Sequence, residues 1–380
     1  MEKVYLDNAA TTPLDEVVFE EMKPYMLDFY GNPSSIHSHG RQVRAAIEKA
    51  RKKVADLLNT SPSEIFFTSG GTEADNTALR CTVDEYGVKN IITTGLEHHA
   101  VLHTAEMLAK RGDVNLHLLD VDAQGNIDIH QIEELLKKEP NTLVSLMHAN
   151  NEIGTVNDID TIANLCHEHG AIFHTDTVQT MGHFKHDLQE LKANFIVGSA
   201  HKFHGPKGVG FLYVNHEKKI HPFIHGGAQE RNMRGGTENV YGIIGLAKAL
   251  ELAYSHMDEH RSHIEGVKQY MIDQLKANIE GVDFNGTSAD LNNSLYTVLN
   301  VSLPPSEDND MLLFNLDING ISASGGSACS SGSNVGSHVL TALGSDPMRG
   351  AVRFSFSRFN TKDQVDYVIS KLNEILAIGV

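Results

Sequence analysis

The chain has 380 residues, 41% of them hydrophobic, enough for a large core and, since single cores rarely grow to this size, for two domains. Its 31 Lys and Arg against 49 Asp and Glu leave a net charge of −18 with no Lys/Arg-rich run, which opposes direct binding to nucleic-acid backbones. No apolar run approaches the roughly 20 residues of a membrane span, and the opening MEKVYLDNAATTP lacks the pattern of a secretory signal, so a cytoplasmic location is expected.

In chain order, the apolar, β-branched runs EIFFT (64–68), NIITT (90–94), VNLHLLD (114–120), TLVSLM (142–147), AIFHTD (171–176) and NFIVGS (194–199) read as strands. The stretches at 72–86, 98–111, 128–139 and 158–169 read as helices between them, and this alternation implies a mostly parallel sheet covered on both faces. GVGFLYV (208–214) reads as a further, antiparallel strand. From about residue 257 the texture changes. A charged helical stretch leads to the strands YTVLNVSL and AVRFSF and to a closing helix at 361–377, a smaller α+β unit with which the first dozen residues are expected to pack.

The three cysteines are too scattered for a disulfide framework or a zinc knuckle. Cys81 and Cys166 lie in helix-like stretches and read as half-buried structural thiols. Cys329 sits in SASGGSACSSGSNVGS, a segment with almost no side chains to bury it. Among the 22 histidines, His256, His260 and His263 share one helix face, but no HExxH or paired CxxC accompanies them. They read as a solvated face, and no metal is expected.

Ligands in wound α/β sheets collect at the carboxyl ends of the strands. EIFFT is followed by SGGTEADN, where Gly71 and Thr72 open a helix whose amides suit an anion, although an ordinary helix cap has the same pattern. AIFHTD ends in Asp176 with Gln179 three residues on, and a carboxylate ending a buried strand must be paired. NFIVG runs into Ser199, Ala200, His201 and Lys202. A partly desolvated lysine there has the nucleophilic amine that Schiff-base chemistry requires. A phosphate cup, an acid for a pyridine nitrogen and an amine for an aldehyde together point to pyridoxal 5'-phosphate. No GxGxxG follows an early strand, which weakens the dinucleotide alternative.

The chain resembles the NifS/IscS-type cysteine desulfurases of the class V aminotransferase fold nearly from end to end. The resemblance is carried by LDNAATTP (6–13), GNPSSIH (31–37), FTSGGTEADN (67–76), EHHAVLHT (97–104) and NNEIGT (150–155). It continues through HTDTVQ (174–179), SAHKFHGPKG (199–208), RGGTEN (234–239), SGGSAC (324–329) and VRFSFSRF (352–359). Ala200 and His204 depart from the family's usual residues.

The resemblance implies the fold type I of PLP-dependent transferases: a large domain at 15–256 on a mostly parallel seven-stranded sheet, and a small α+β domain from 1–14 and 257–380 carrying the Cys329 loop. It implies that Lys202 holds the cofactor aldehyde, Asp176 its ring nitrogen, Gln179 its hydroxyl and His98 its face. Thr72, Ser199 and His201 would hold the phosphate beside Gly71, with Thr237 supplied across a homodimer interface. Asn32, Asn151 and Arg353 would bind the carboxylate of L-cysteine. Cys329 would take the sulfur as a persulfide, release alanine, and pass the sulfur to iron–sulfur scaffold proteins or tRNA-thiolation enzymes. A selenocysteine lyase or another β-lyase would keep Lys202 and Asp176 without needing Cys329. A non-catalytic sulfur relay would bind no cofactor.

Overall fold

The computed structural model describes residues 3–325 and 336–378. Its centre is a seven-stranded sheet in the spatial order Ile65–Thr68, Gly210–Val214, Phe195–Ser199, Ile172–Asp176, Thr142–Ser145, Asn90–Thr94 and Asn115–Leu119. Gly210–Val214 is antiparallel to both neighbours and the other pairings are parallel, so six strands share one direction.

Side chains alternate across a strand, and the inner strands are apolar on both faces. Ile92, Val144, Phe173, Ile196 and Phe211 point into a cluster with residues of the helices Ser38–Leu57, Ile129–Lys138, Ile159–Glu168 and Val240–Ser255. Their neighbours Ile91, Leu143, Ile172, Phe195 and Leu212 face a second cluster with the helices Gly71–Tyr86 and His99–Lys110. Local chemistry marks several helix ends. Asp128, Asp158 and Asn239 cap helix N-termini through their side chains, and Gly87 closes Gly71–Tyr86 at φ 61°.

A third core joins Val4 and Leu6 to the helices Met257–Asn278 and Lys362–Ile378 and to the antiparallel strands Val298–Pro305 and Arg349–Ser355. Val4–Tyr5 pairs in parallel with Ile321–Ser322, and the Asn8 amide donates to the Ser355 carbonyl. The N-terminal segment is thus tied to this unit, while its next residues run on to the central sheet.

The sequence reading took no element before residue 64, yet Glu16–Leu27 and Ser38–Leu57 are helices. Val240–Ser255 is a third helix it did not assign. This last helix is buried on most of its circumference, which blurs the helical period. Cys81 and Cys166 are fully buried, not half-buried, at 1% and 0% exposure. Burial pushes both thiols up to about 12, so they are inert. Among the described residues no helix is long and apolar enough to cross a membrane.

Candidate active site

At the carboxyl ends of the parallel strands lies a cavity of about 220 Å³. Its wall includes Gly71, Thr72, His98, Asn151, Asp176, Gln179, Ser199, His201, Lys202 and Arg353, side by side with Ala9 and Ala10. Asn32 and Thr237 are not brought there. Asn32 is exposed, with its Oδ1 accepting from the Ser34 amide, and Thr237 is exposed beside Gly236 and Glu238. Cys329 lies outside the described residues.

Lys202 follows the Phe195–Ser199 strand through a single turn, Ala200–Lys202. Its Nζ donates to the carbonyls of Ala9 and Ala10, at 2.9 Å to the latter. The Ala9 carbonyl also accepts from Gln179 Nε2 at 3.0 Å. The motif at 6–13 therefore lays its backbone across the cavity and fixes two of the predicted site residues.

Asp176 ends the fully buried strand Ile172–Asp176, and its Oδ1 accepts from the Val178 amide at 2.8 Å. Burial pushes its pKa up to about 6, against the pull of that amide and of the Lys202 charge. A carboxylate so placed gains most from a cation bound beside it. His98 caps the His99–Lys110 helix, its Nδ1 accepting from Ala100 N at 3.1 Å. Burial, and then the Lys202 charge, lower it to about 4, so it is neutral at physiological pH. His201 is lowered to about 4 for the same reasons, and its Nδ1 lies 3.1 Å from Thr11 Oγ1.

The opening of the Gly71–Tyr86 helix is built for close approach. Gly70 adopts φ 154° with ψ −177°, a conformation essentially restricted to glycine. A Cβ on Gly71 would lie 2.8 Å from Val178 Cγ2. Beside this turn is a recess walled by Ser69, Thr72, Ser199, His201 and Lys207. The acid at its edge, Glu73, is neutralised by Arg234 at 3.0 and 3.1 Å and accepts from the Ser69 amide. Free helix amides, hydroxyls and a lysine leave the recess suited to an anion.

Arg353 is 1% exposed. Its terminal nitrogens donate to the Asn151 carbonyl and to Asp7 Oδ1, each at 2.9 Å. Two buried acids escaped the sequence reading. Asp75 lines the cavity, and Glu97 accepts from the Met147 amide with its pKa pushed up to about 8 by burial. Both sit inside motifs quoted above, but a lone acid in a helical or loop pattern carries no signal of burial.

The class-V aminotransferase family model matches residues 4–368. The chain belongs to the class-V aminotransferase family. Among relatives of this class-V chain, the cysteine desulfurase IscS of Dictyoglomus turgidum is 44% identical over 378 residues, covering 98% of this chain and 94% of that one. The putative cysteine desulfurase IscS 1 of Bacillus subtilis is 44% identical and covers 96% of each. Among solved structures, a NifS-like protein superposes with TM-score 0.91 at 38% identity, covering 99% of this chain and all of that one. A structure described as SspA in complex with cysteine gives 0.81 at 34% identity, covering 95% of this chain and 100% of that one. The mostly parallel seven-stranded sheet expected from the resemblance is the one observed.

Proposed function

We propose that this protein is a PLP-dependent cysteine desulfurase, which converts L-cysteine to L-alanine and takes the sulfur as a persulfide on Cys329. The observation that carries the reading is the meeting of Lys202, Asp176 and Arg353 in one cavity beside an anion recess, in a chain whose relatives bear that name. The residues fit the cofactor. Lys202 would hold its aldehyde, Asp176 its ring nitrogen, Gln179 its hydroxyl, His98 its face, and Thr72, Ser199 and His201 its phosphate at the Gly71 turn. Bound there, pyridoxal phosphate supplies an electron-withdrawing ring that stabilises negative charge on the substrate's α-carbon.

The chain's own groups do the rest. Arg353 grips the substrate carboxylate, with Asn151 beside it. Lys202 Nζ removes the α-proton, and neutral His98 is a second group able to accept or return one. Cys329 thiolate attacks the substrate sulfur. An S–S bond forms, the C–S bond breaks with its electron pair going to carbon, and that carbon takes up a proton to leave as alanine. The sulfur then passes to an acceptor protein of iron–sulfur or tRNA-thiolation chemistry.

Thr237 and Asn32 would serve from a second copy of the chain. In support, the Glu16–Leu27 helix and the segment around Asn32 carry exposed apolar side chains, Phe19, Leu27, Tyr30 and Ile36. We also propose a large unit at 15–256, a small one from 1–14 and 257–380, and a cytoplasmic location.

Three full-length forms test the reading. Wild type is expected to be yellow, to be bleached by borohydride with the adduct on Lys202, and to release alanine from cysteine. Cys329→Ser is expected to keep the colour and lose alanine release. Unchanged release in Cys329→Ser would favour a β-lyase, and a colourless wild type that PLP cannot reconstitute would sink the enzyme reading. Lys202→Ala is expected to lose the borohydride-trappable adduct.

A further inference from the structure

Asp75 has no part in the scheme above, yet it is the second carboxylate in the cavity wall. It sits on the second turn of the Gly71–Tyr86 helix at 1% exposure. Asp75, His98 and Asp176 each offer a polar atom, all within 4.8 Å of one another. Asp75 Oδ1 also lies 3.3 Å from Nε2 of His174, a ring with no exposed surface. On its other side His174 presents Nδ1 to Ser145 Oγ at 2.8 Å. Among the described residues neither Asp75 Oδ1 nor His174 Nε2 has a hydrogen-bond partner, and an N–H on His174 Nε2 does not point at the carboxylate well enough to bond it.

Two buried polar atoms this close, with no partner elsewhere, are satisfied at least cost by a proton carried on one and offered to the other. That proton can belong to either side. If it sits on His174 Nε2, Asp75 is an anion, and two ionised carboxylates, Asp75 and Asp176, share one cavity wall with Glu97 buried nearby. If it sits on Asp75, only Asp176 carries charge. Like charges in low dielectric cannot both ionise cheaply, which favours the second arrangement.

We propose that Asp75 is a neutral carboxylic acid whose O–H donates to His174 Nε2, with His174 Nδ1–H passing on to Ser145 Oγ, and that it thereby leaves Asp176 as the anion facing the cofactor's ring nitrogen. The protonation stands on this chain's geometry alone; its consequence for the ring nitrogen rests on the PLP reading. Burial, together with the charges of Asp176 and Glu97, raises Asp75 well above the ordinary carboxylate range. Burial lowers His174 to about 3, so the ring is neutral and free to take the tautomer with Nδ1 protonated. Asp75 is thus a positioning residue. An ionised Asp75 would raise the proton affinity of every base bound in the cavity, whereas the neutral acid leaves that tuning to Asp176.

The test uses the full chain with 13C-labelled aspartate, free of cofactor, read by infrared spectroscopy near pH 8. There Asp176, raised to about 6, is ionised, and any band from Glu97 is blind to the aspartate label. We expect an isotope-shifted protonated-carboxyl band that disappears in Asp75→Asn. Absence of that band from wild type overturns the proposal, whether or not the Asn variant folds. In the cofactor-loaded protein, the pH midpoint of the cofactor's absorbance is expected to stay within about 0.3 units in Asp75→Asn. A fall of about one unit or more would show that Asp75 had been an anion, and would overturn the proposal too. A chain that never acquires the cofactor's absorbance would sink the PLP reading while leaving the infrared result standing.

Discussion

Arg353 sits on the Arg349–Ser355 strand with both terminal nitrogens engaged, by the Asn151 carbonyl and the Asp7 carboxylate. Its Nε–H has no hydrogen-bond partner among the described residues. The planar fork is therefore held still before any substrate arrives, with Nε–H and the second N–H of each terminal nitrogen left over and the Asp7 charge partly neutralising it. A lysine at 353 would offer a point charge on a flexible stem and could not satisfy the two anchors and a carboxylate together. We expect Arg353→Lys to raise KM for L-cysteine by roughly 10–100-fold, the loss of one or two charge-assisted hydrogen bonds, with a smaller change in kcat. Steady-state alanine release measures both constants. An unchanged KM would reduce Arg353 to a structural partner of Asp7.

The elements that position the site are short turns at strand ends, and their geometry depends on single residues. Gly70 links the Ile65–Thr68 strand to the Gly71–Tyr86 helix at φ 154°, with only Ser199 Oγ, at 3.8 Å, near the place of an added Cβ. Space is available there, so the obstacle to alanine is backbone strain, on the order of 1–3 kcal/mol. Gly70→Ala is expected to weaken PLP binding, measured by cofactor titration, more than it lowers the thermal midpoint, because the strain relaxes by moving the helix amides. The strands and helices around this turn were legible because each has a clear period and each ends in turn or capping chemistry. The helices at 72–86, 98–111, 128–139 and 158–169 match the structure to within one residue at each end. Val240–Ser255 was not legible, since a helix buried nearly all round has no polar face to mark its period. Lys202 and Asp176 were legible from their places at strand ends. Asp75 was not, because position 75 is polar in the way an exposed helix face is polar, and only the packing of His174 against it reveals its burial. Thr237 and Asn32 were read from motif alone, and one chain does not bring them to the cavity.

Across the whole molecule, the acid response is set by buried imidazoles. Burial lowers seven histidines, His98, His148, His174, His183, His186, His201 and His204, to about 3 or 4. Each is neutral when folded and titrates near 6.5 when unfolded, so below that pH the unfolded chain binds more protons. Their contribution is present above about pH 6.5 and is lost as pH falls toward 4. Asp176 acts in the opposite sense. Its folded pKa of about 6 lies above its unfolded value, so the folded state holds the extra proton and stability from this group falls as pH rises from about 4 to 6. Glu97, raised to about 8, and Asp75 and Glu152, both raised by burial, act with Asp176, and these four acids still do not offset seven imidazoles. Glu97 goes on losing stability from about pH 4.5 until pH reaches its folded value of about 8, while Lys268, lowered to about 7 by burial, gains it from about pH 7 upward. These two largely cancel between about pH 7 and 8. We therefore expect the thermal midpoint of the cofactor-free chain to climb steeply from about pH 4.5 to 6.5 and then to level off. Replacing His186, which is buried and not part of the cavity wall, by glutamine is expected to make that climb shallower by the share of one proton. Calorimetry across the pH range checks both, and a midpoint that peaks below pH 5 would mean that the buried histidines are not held neutral.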